Sequence, residues 1–290
     1  MTYCLGIMTR FGLVMASDSR TNAGFDQVNV CQKMHTFCTP GERAFVLLAS
    51  GSLSCTQSVM TLLRRDFERG HGLATAPTLY DAARLVGEQV RKVADLDRAA
   101  LERDDYKFNV NLILGGQVKG EPHGLFLIYP QGNPLQATED SPFLQIGETK
   151  YGRPILDRGI RYQHTTLEEA AKYALLSLDS TMKSNVTVGP PIDLLVYSAG
   201  ELDLTRKRRF IENDPDLMKI RTRWQQALRQ AVARLPNIKL KGKEEAGTPG
   251  GGKGESIELV EGAEGSAESS VAQSTASGGT QKGKAANRNQ

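Results

Sequence analysis

The sequence predicts an α+β fold in which layered sheets are covered by helices. Two observations carry this. Short apolar or alternating runs come in groups, and so do longer segments with apolar residues at helical spacing. The groups alternate as strands, two helices, strands, two helices, strands and a last helix. Strands in runs followed by helices in runs argue against a doubly wound βαβ sheet.

Tyr3–Met8 and Leu13–Ser17 are apolar runs joined by Thr9-Arg10-Phe11-Gly12, which reads as a hairpin turn. Val28–Phe37 is a third extended stretch, and Ala44–Ser50 is a continuous apolar run suited to a fully buried strand. Ser52–Arg69 carries Val59, Leu62, Leu63 and Phe67 at helical spacing, and Leu79–Leu101 carries Leu79, Ala82, Ala83, Val86 and Val90 on one stripe. Strands resume at Tyr106–Gly115, Gly124–Tyr129 and Phe143–Ile146. Helices are expected over Gly152–Tyr162 and Leu167–Met182, the second opened by Thr166 and Glu169 at capping-box spacing. Ile192–Ser198 and Leu202–Phe210 complete the sheets, and Pro215–Leu235 reads as a final helix.

Composition bounds the rest. The 290 residues are 39% hydrophobic and 24% charged, as expected of one sizeable globular core. Past Lys241 there is no aromatic residue, and the only large aliphatics are Ile257, Leu259, Val260 and Val271. Such a segment cannot bury enough apolar area to offset its ordering entropy. A domain over residues 1–240 and a disordered polar tail over residues 241–290 are therefore expected.

A net charge of +3 is too mild to indicate nucleic acid, and a single Trp offers little base-stacking surface. No apolar run has membrane-spanning length, so neither nucleic acid nor membrane is an expected partner. Cys4, Cys31, Cys38 and Cys55 form no Cys-x-x-Cys pair, and His35, His71, His123 and His164 lack zinc-ligand spacing. No metal or cofactor is expected, and the cysteines read as small buried hydrophobes in a reducing cytoplasm. The N-terminus shows no basic-then-apolar leader, which would leave residue 2 as the working end once Met1 is trimmed.

The hairpin sets Thr2 opposite Asp18 or Ser19. Lys33 is the only lysine among the first hundred residues apart from Lys92, and Met34 and Phe37 beside it suggest a half-buried setting. A buried lysine needs a carboxylate, and Asp18 is the candidate. These groups suffice for a mechanism. A threonine hydroxyl needs an adjacent base, and a terminal threonine carries one in its own α-amine, whose pKa is roughly 8. Lys33 would favour the neutral amine, and Asp18 would hold Lys33 in place. The backbone N–H of Gly51, between a buried strand and a helix start, suits a developing oxyanion.

Four stretches carry a resemblance: Thr2–Ile7, Gly12–Gly24, Gln32–His35 and Ala49–Ser52. The segment resembles proteasome β subunits, and more closely the bacterial ancestral β-subunit family, Anbu. The likeness continues at Gln145–Pro154 and Ser180–Pro191, and spans about Thr2–Leu240. It implies a four-layer αββα sandwich of the N-terminal-nucleophile hydrolase type and threonine-dependent hydrolysis of peptide bonds. It implies Thr2 as nucleophile, Asp18 and Lys33 as its support, Gly51 as the oxyanion glycine, and Thr21 and Leu53 beside the substrate. It also implies a peptide or unfolded-protein substrate and self-assembly into a homo-oligomeric ring or open helical ring. Any unfolding ATPase would be a separate chain.

Two departures from the family pattern stand out. Lys33 lies one residue closer to Asp18 than usual, implying a shortened loop around Gly24–Val28. Ser184 matches a site serine, but Thr181 stands where an Asp is expected three residues earlier, and the nearest acid is Asp179. Either the Thr181 hydroxyl or the Asp179 carboxylate would substitute. The alternatives to a peptidase are an amidohydrolase of the same fold and a non-catalytic assembly subunit.

Overall fold

The computed structural model describes residues 2–22 and 28–238. Met1, most of the expected shortened loop, and the polar tail lie outside the described residues. One compact unit ends at Pro236.

The chain opens with β1 (Tyr3–Thr9) and β2 (Gly12–Asp18), joined across Arg10 and Phe11 with Thr9 paired to Gly12. It continues through β3 (Arg20–Asn22), β4 (Val28–Val30), β5 (Met34–Thr39) and β6 (Arg43–Gly51). Helices α1 (Leu53–Glu68) and α2 (Leu79–Arg103) follow, then β7 (Val110–Val118), β8 (Gly124–Ile128), β9 (Pro134–Gln136) and β10 (Phe143–Gly147). The remainder is α3 (Thr149–Gly159), α4 (Leu167–Ser184), β11 (Ile192–Ser198), β12 (Lys207–Phe210) and α5 (Pro215–Ala233).

Two five-stranded antiparallel sheets form, in the orders β10-β1-β2-β11-β12 and β5-β6-β7-β8-β9. Strand alternation assigns their faces. Tyr3, Leu5 and Ile7 of β1 pack with Leu156 of α3 and with Ala174 and Leu178 of α4. Cys4 and Met8, on the opposite face, join Met15, Val46, Leu48 and Ile113 between the two sheets. The outer face of the second sheet puts Phe45, Leu47 and Leu112 against Val59 and Leu63 of α1 and Val86 and Val90 of α2. The layers are therefore helix, sheet, sheet, helix, the expected αββα sandwich.

Local chemistry sets the helix starts. Thr166 and Glu169 form a reciprocal capping box at α4, as their spacing predicts. Asp214 caps α5, with Pro215 at its first position.

Several boundaries differ from the sequence reading. Val28–Phe37 is not one strand but breaks over residues 31–33, placing Lys33 in the break. There the Lys33 side chain turns inward to a carboxylate while its carbonyl still accepts from the Ala49 N–H at 2.9 Å. Leu202–Phe210 shortens to β12 because Leu202 has φ +46° and Leu204 is buried in the inter-sheet core. Helix α3 starts at Thr149, before Gly152, and ends at Gly159. The short strands β3 and β9 have no distinct signal in the sequence. Cys4 and Cys55 are buried as expected, whereas Cys31 and Cys38 are only half-buried. No described helix is long and apolar enough to cross a membrane.

Candidate active site

The site lies where the first hairpin meets the edge of the second sheet. The hairpin register pairs Cys4 with Ser17, and one step further the Tyr3 N–H donates to Asp18 Oδ1 at 3.0 Å. The carbonyl of the same peptide group is pinned as well: that of Thr2 accepts from the Glu148 N–H at 2.8 Å. Gly147 permits that approach. It sits at φ +86°, and a Cβ there would overlap the Thr2 carbonyl oxygen.

Asp18, the last residue of β2, is fully buried. Lys33 Nζ donates to its Oδ1 at 2.7 Å, and the Gly189 N–H donates to its Oδ2 at 3.3 Å. Burial pushes the Asp18 carboxyl above its ordinary range, and Lys33 and the two N–H donors pull it back. Lys33 Nζ also donates to the Arg20 carbonyl at 2.6 Å. An ammonium has three N–H donors, so one is left without a partner among the described residues. Lys33 reaches a cavity of about 840 Å³ that Thr2, Thr21, Gly51 and Leu53 also line.

Gly51 ends β6 immediately before α1. It has φ +122°, and a Cβ there would overlap the Asn109 carbonyl oxygen. Only glycine fits this close approach, which turns the chain from strand to helix at the cavity wall.

Six of the seven residues singled out from the sequence therefore gather here: Thr2, Thr21, Lys33, Gly51 and Leu53 on the cavity wall, with Asp18 behind Lys33. Ser184 does not join them. It is exposed at the last residue of α4 and lines a separate depression with Arg20 and Val186. The two candidates for the missing acid are engaged elsewhere. The Thr181 hydroxyl donates to the Ser177 carbonyl one turn back at 2.9 Å, and Asp179 is ion-paired with Arg221 of α5.

Sequence reasoning missed the Arg20 carbonyl, the Gly189 N–H and the Gly147–Glu148 clamp on Thr2. His35 also faces the cavity, together with Cys31, Ala49, Met60 and Arg64. Burial and the nearby Arg64 guanidinium lower the His35 pKa to about 4. Among the described residues, no cluster of three or more His, Cys, Asp or Glu side chains is placed to hold a metal ion.

The layered fold, with Thr2 at the start of the first strand beside a buried lysine–carboxylate pair, is that of the N-terminal-nucleophile hydrolases in their proteasome β-subunit form. An Anbu mutant (Gly-1) from Hyphomicrobium sp. strain MC1 is 44% identical, with a TM-score of 0.77, matching 83% of this chain and all of that one. The chain belongs to the Anbu family, the bacterial ancestral β subunits. A structure described as the helical assembly of the Anbu complex from Pseudomonas aeruginosa is 45% identical, with a TM-score of 0.78, over 82% of this chain and 98% of that one. The proteasome subunit beta of Haloferax volcanii is 25% identical over 210 residues, 72% of this chain and 78% of the relative. No family model matches the chain.

Proposed function

We propose that this protein is a threonine peptidase that uses Thr2 as an N-terminal nucleophile after removal of Met1. The observation that carries this reading is the Lys33 ammonium, held between the Asp18 carboxylate and the Arg20 carbonyl on the wall of the cavity onto which Thr2 opens.

In this mechanism the Thr2 α-amine takes the proton from Oγ1 as the oxygen attacks a peptide carbonyl carbon. The charge that develops on the carbonyl oxygen is met by the Gly51 N–H, with Lys33 adding positive potential. Collapse breaks the C–N bond, the ammonium returns the proton to the leaving amine, and an ester remains on Thr2. Water, deprotonated by the same amine, then hydrolyses the ester and restores the hydroxyl. Lys33 disfavours a second positive charge at the amine and so keeps it neutral near pH 7. With Thr181 and Asp179 engaged elsewhere, the amine relies on Lys33 and the backbone around it rather than on a nearby carboxylate.

In this reading the substrate is a peptide or an unfolded protein. Self-assembly into a homo-oligomer is favoured by the helical assembly of the Pseudomonas aeruginosa relative. A cytoplasmic location and a separate ATPase fit the same reading.

Mass spectrometry of the N-terminus together with labelling by threonine-directed covalent inhibitors tests it. The expected result is a processed Thr2 that carries the label and a Thr2→Ala protein that does not. A fully retained Met1 would rule the mechanism out, because the amine would then be an amide.

A further inference from the structure

Tyr3 follows Thr2 in the chain, and its side chain points away from the cavity. It is fully buried and crosses from the sheet into the helix layer, among Leu156 of α3 and Ala174 and Leu178 of α4. Its hydroxyl is met there by polar side chains from two other elements. Ser177 Oγ of α4 lies 2.6 Å away, and Gln145 Nε2 of β10 donates to the same tyrosine oxygen. Tyr3 pairs with Gly147 and Leu5 with Gln145, so Gln145 is the diagonal neighbour of Tyr3 on one face of the sheet.

Chemistry fixes the direction of this chain. An amide nitrogen only donates, so the tyrosine oxygen accepts from Gln145 and its own O–H is left for Ser177. Burial pushes the Tyr3 pKa up to about 12, which keeps that proton in place near neutral pH. Gly152 of α3 makes the room: a Cβ there would overlap both the Tyr3 and the Ser177 side-chain oxygens.

The peptide group that joins Thr2 to Tyr3 is held from its two neighbours in the sheet. Asp18, at the end of β2, accepts from its N–H, and Glu148, just past β10, donates to its carbonyl. Bonds between strands run within a sheet, whereas side chains stand across it. The Tyr3 ring therefore restrains the direction that the backbone bonds leave loose, the depth of the chain start between helix layer and cavity.

We propose that Tyr3 is a positioning residue: the Gln145–Tyr3–Ser177 hydrogen-bond chain sets the depth at which Thr2 meets Lys33. The role rests on Thr2 being the nucleophile. Tyr3 itself is not among the residues that line the cavity.

Tyr3→Phe keeps the ring and removes the bonds. In the full-length protein, kcat on a fluorogenic peptide should fall about tenfold, less than the roughly 10²-fold of a full 1 Å displacement. KM should stay within about twofold, because the cavity wall is untouched. The acid limb of the pH–rate profile should move to higher pH, since an amine drawn back from Lys33 is more basic. A triple variant, Tyr3→Phe with Gln145→Leu and Ser177→Ala, separates position from stability. It leaves none of these polar groups unpaired, so it should melt near the parent and still turn over as slowly as Tyr3→Phe. Parental turnover in Tyr3→Phe, or turnover recovered in the triple variant, overturns the proposal. A processed parent that neither labels nor turns over overturns the nucleophile instead. The anchor is then read by hydrogen exchange at the amide of residue 3, expected to be about tenfold faster in Tyr3→Phe. Unchanged exchange there overturns the anchor as well.

Discussion

Lys33 Nζ lies 2.7 Å from Asp18 Oδ1, with Lys33 only 6% exposed and Asp18 fully buried. A pair this dry is expensive to break from one side. Lys33→Ala leaves a buried carboxylate without its cation, which costs about 3–5 kcal/mol. It also removes the group that keeps the Thr2 amine neutral, and a drop in peptide hydrolysis of about 10²–10⁴-fold is expected. Replacing both members, as Asp18→Asn with Lys33→Met, should return most of the thermal stability and none of the activity. Thermal melts and turnover on the three proteins check this. Recovery of turnover in the double variant would show that the pair is only structural.

The placement of Thr2 depends on a residue far away in sequence. Gly147→Ala puts a Cβ into the Thr2 carbonyl oxygen at a backbone angle that L residues rarely adopt. The strain is worth about 1–3 kcal/mol, and relief by shifting β1 would displace the nucleophile. A misplacement of about 1 Å costs on the order of 10²-fold in rate. The expected variant is folded by circular dichroism, melts somewhat earlier, and labels with a threonine-directed inhibitor about a hundredfold more slowly. Labelling at the parental rate would mean that the clamp does not set the Thr2 position.

His35 makes stability depend on pH. Its folded pKa is about 4, against an ordinary value of 6.5, first from burial and then from Arg64. Between those values the unfolded chain binds a proton that the folded protein refuses, so acid favours unfolding. The contribution is intact above about pH 6.5 and is lost as the pH falls towards 4. The gap corresponds to about 3 kcal/mol, less whatever solvent at the half-buried ring screens. Denaturant titrations of parent and His35→Gln at pH 7 and pH 4.5 check this. The parent should lose more stability than the variant over that interval; equal losses would place the ring in water.

Side-chain chemistry made the first hairpin and the lysine–carboxylate pair legible in the sequence. Thr9–Gly12 between two apolar runs set the register, and one lysine among Met34 and Phe37 demanded an acid. Backbone partners were not legible. The N–H of Gly189 reaches Asp18 from 171 residues away, and the carbonyl of Arg20 receives Lys33. Main-chain groups are alike at every position, so only the fold shows which ones meet. The break at residues 31–33 was hidden for a related reason: Val28, Val30, Thr36 and Phe37 flank it as strand formers, Cys31-Gln32-Lys33 holds no Gly or Pro to mark it, and it comes from the inward demand of Lys33. Ser184 was placed by resemblance alone, and the end of α4 carries it to the surface beside Val186.

Asp179 offers the sharpest test of how the Thr2 amine is managed. It is buried in α4 and held by Arg221, half-buried on α5, which ties the two helices together. If that is its whole task, Asp179→Asn loosens the helix pair at a cost of about 1–3 kcal/mol. Turnover per folded molecule should then stay within about twofold of the parent, and the acid limb of the pH–rate profile should not move. A carboxylate that supported the amine would behave differently. Its loss would lower the amine pKa, and the rate would begin to rise at a lower pH. Melting curves and pH–rate profiles for the two proteins separate these outcomes, and a displaced acid limb would return Asp179 to the site.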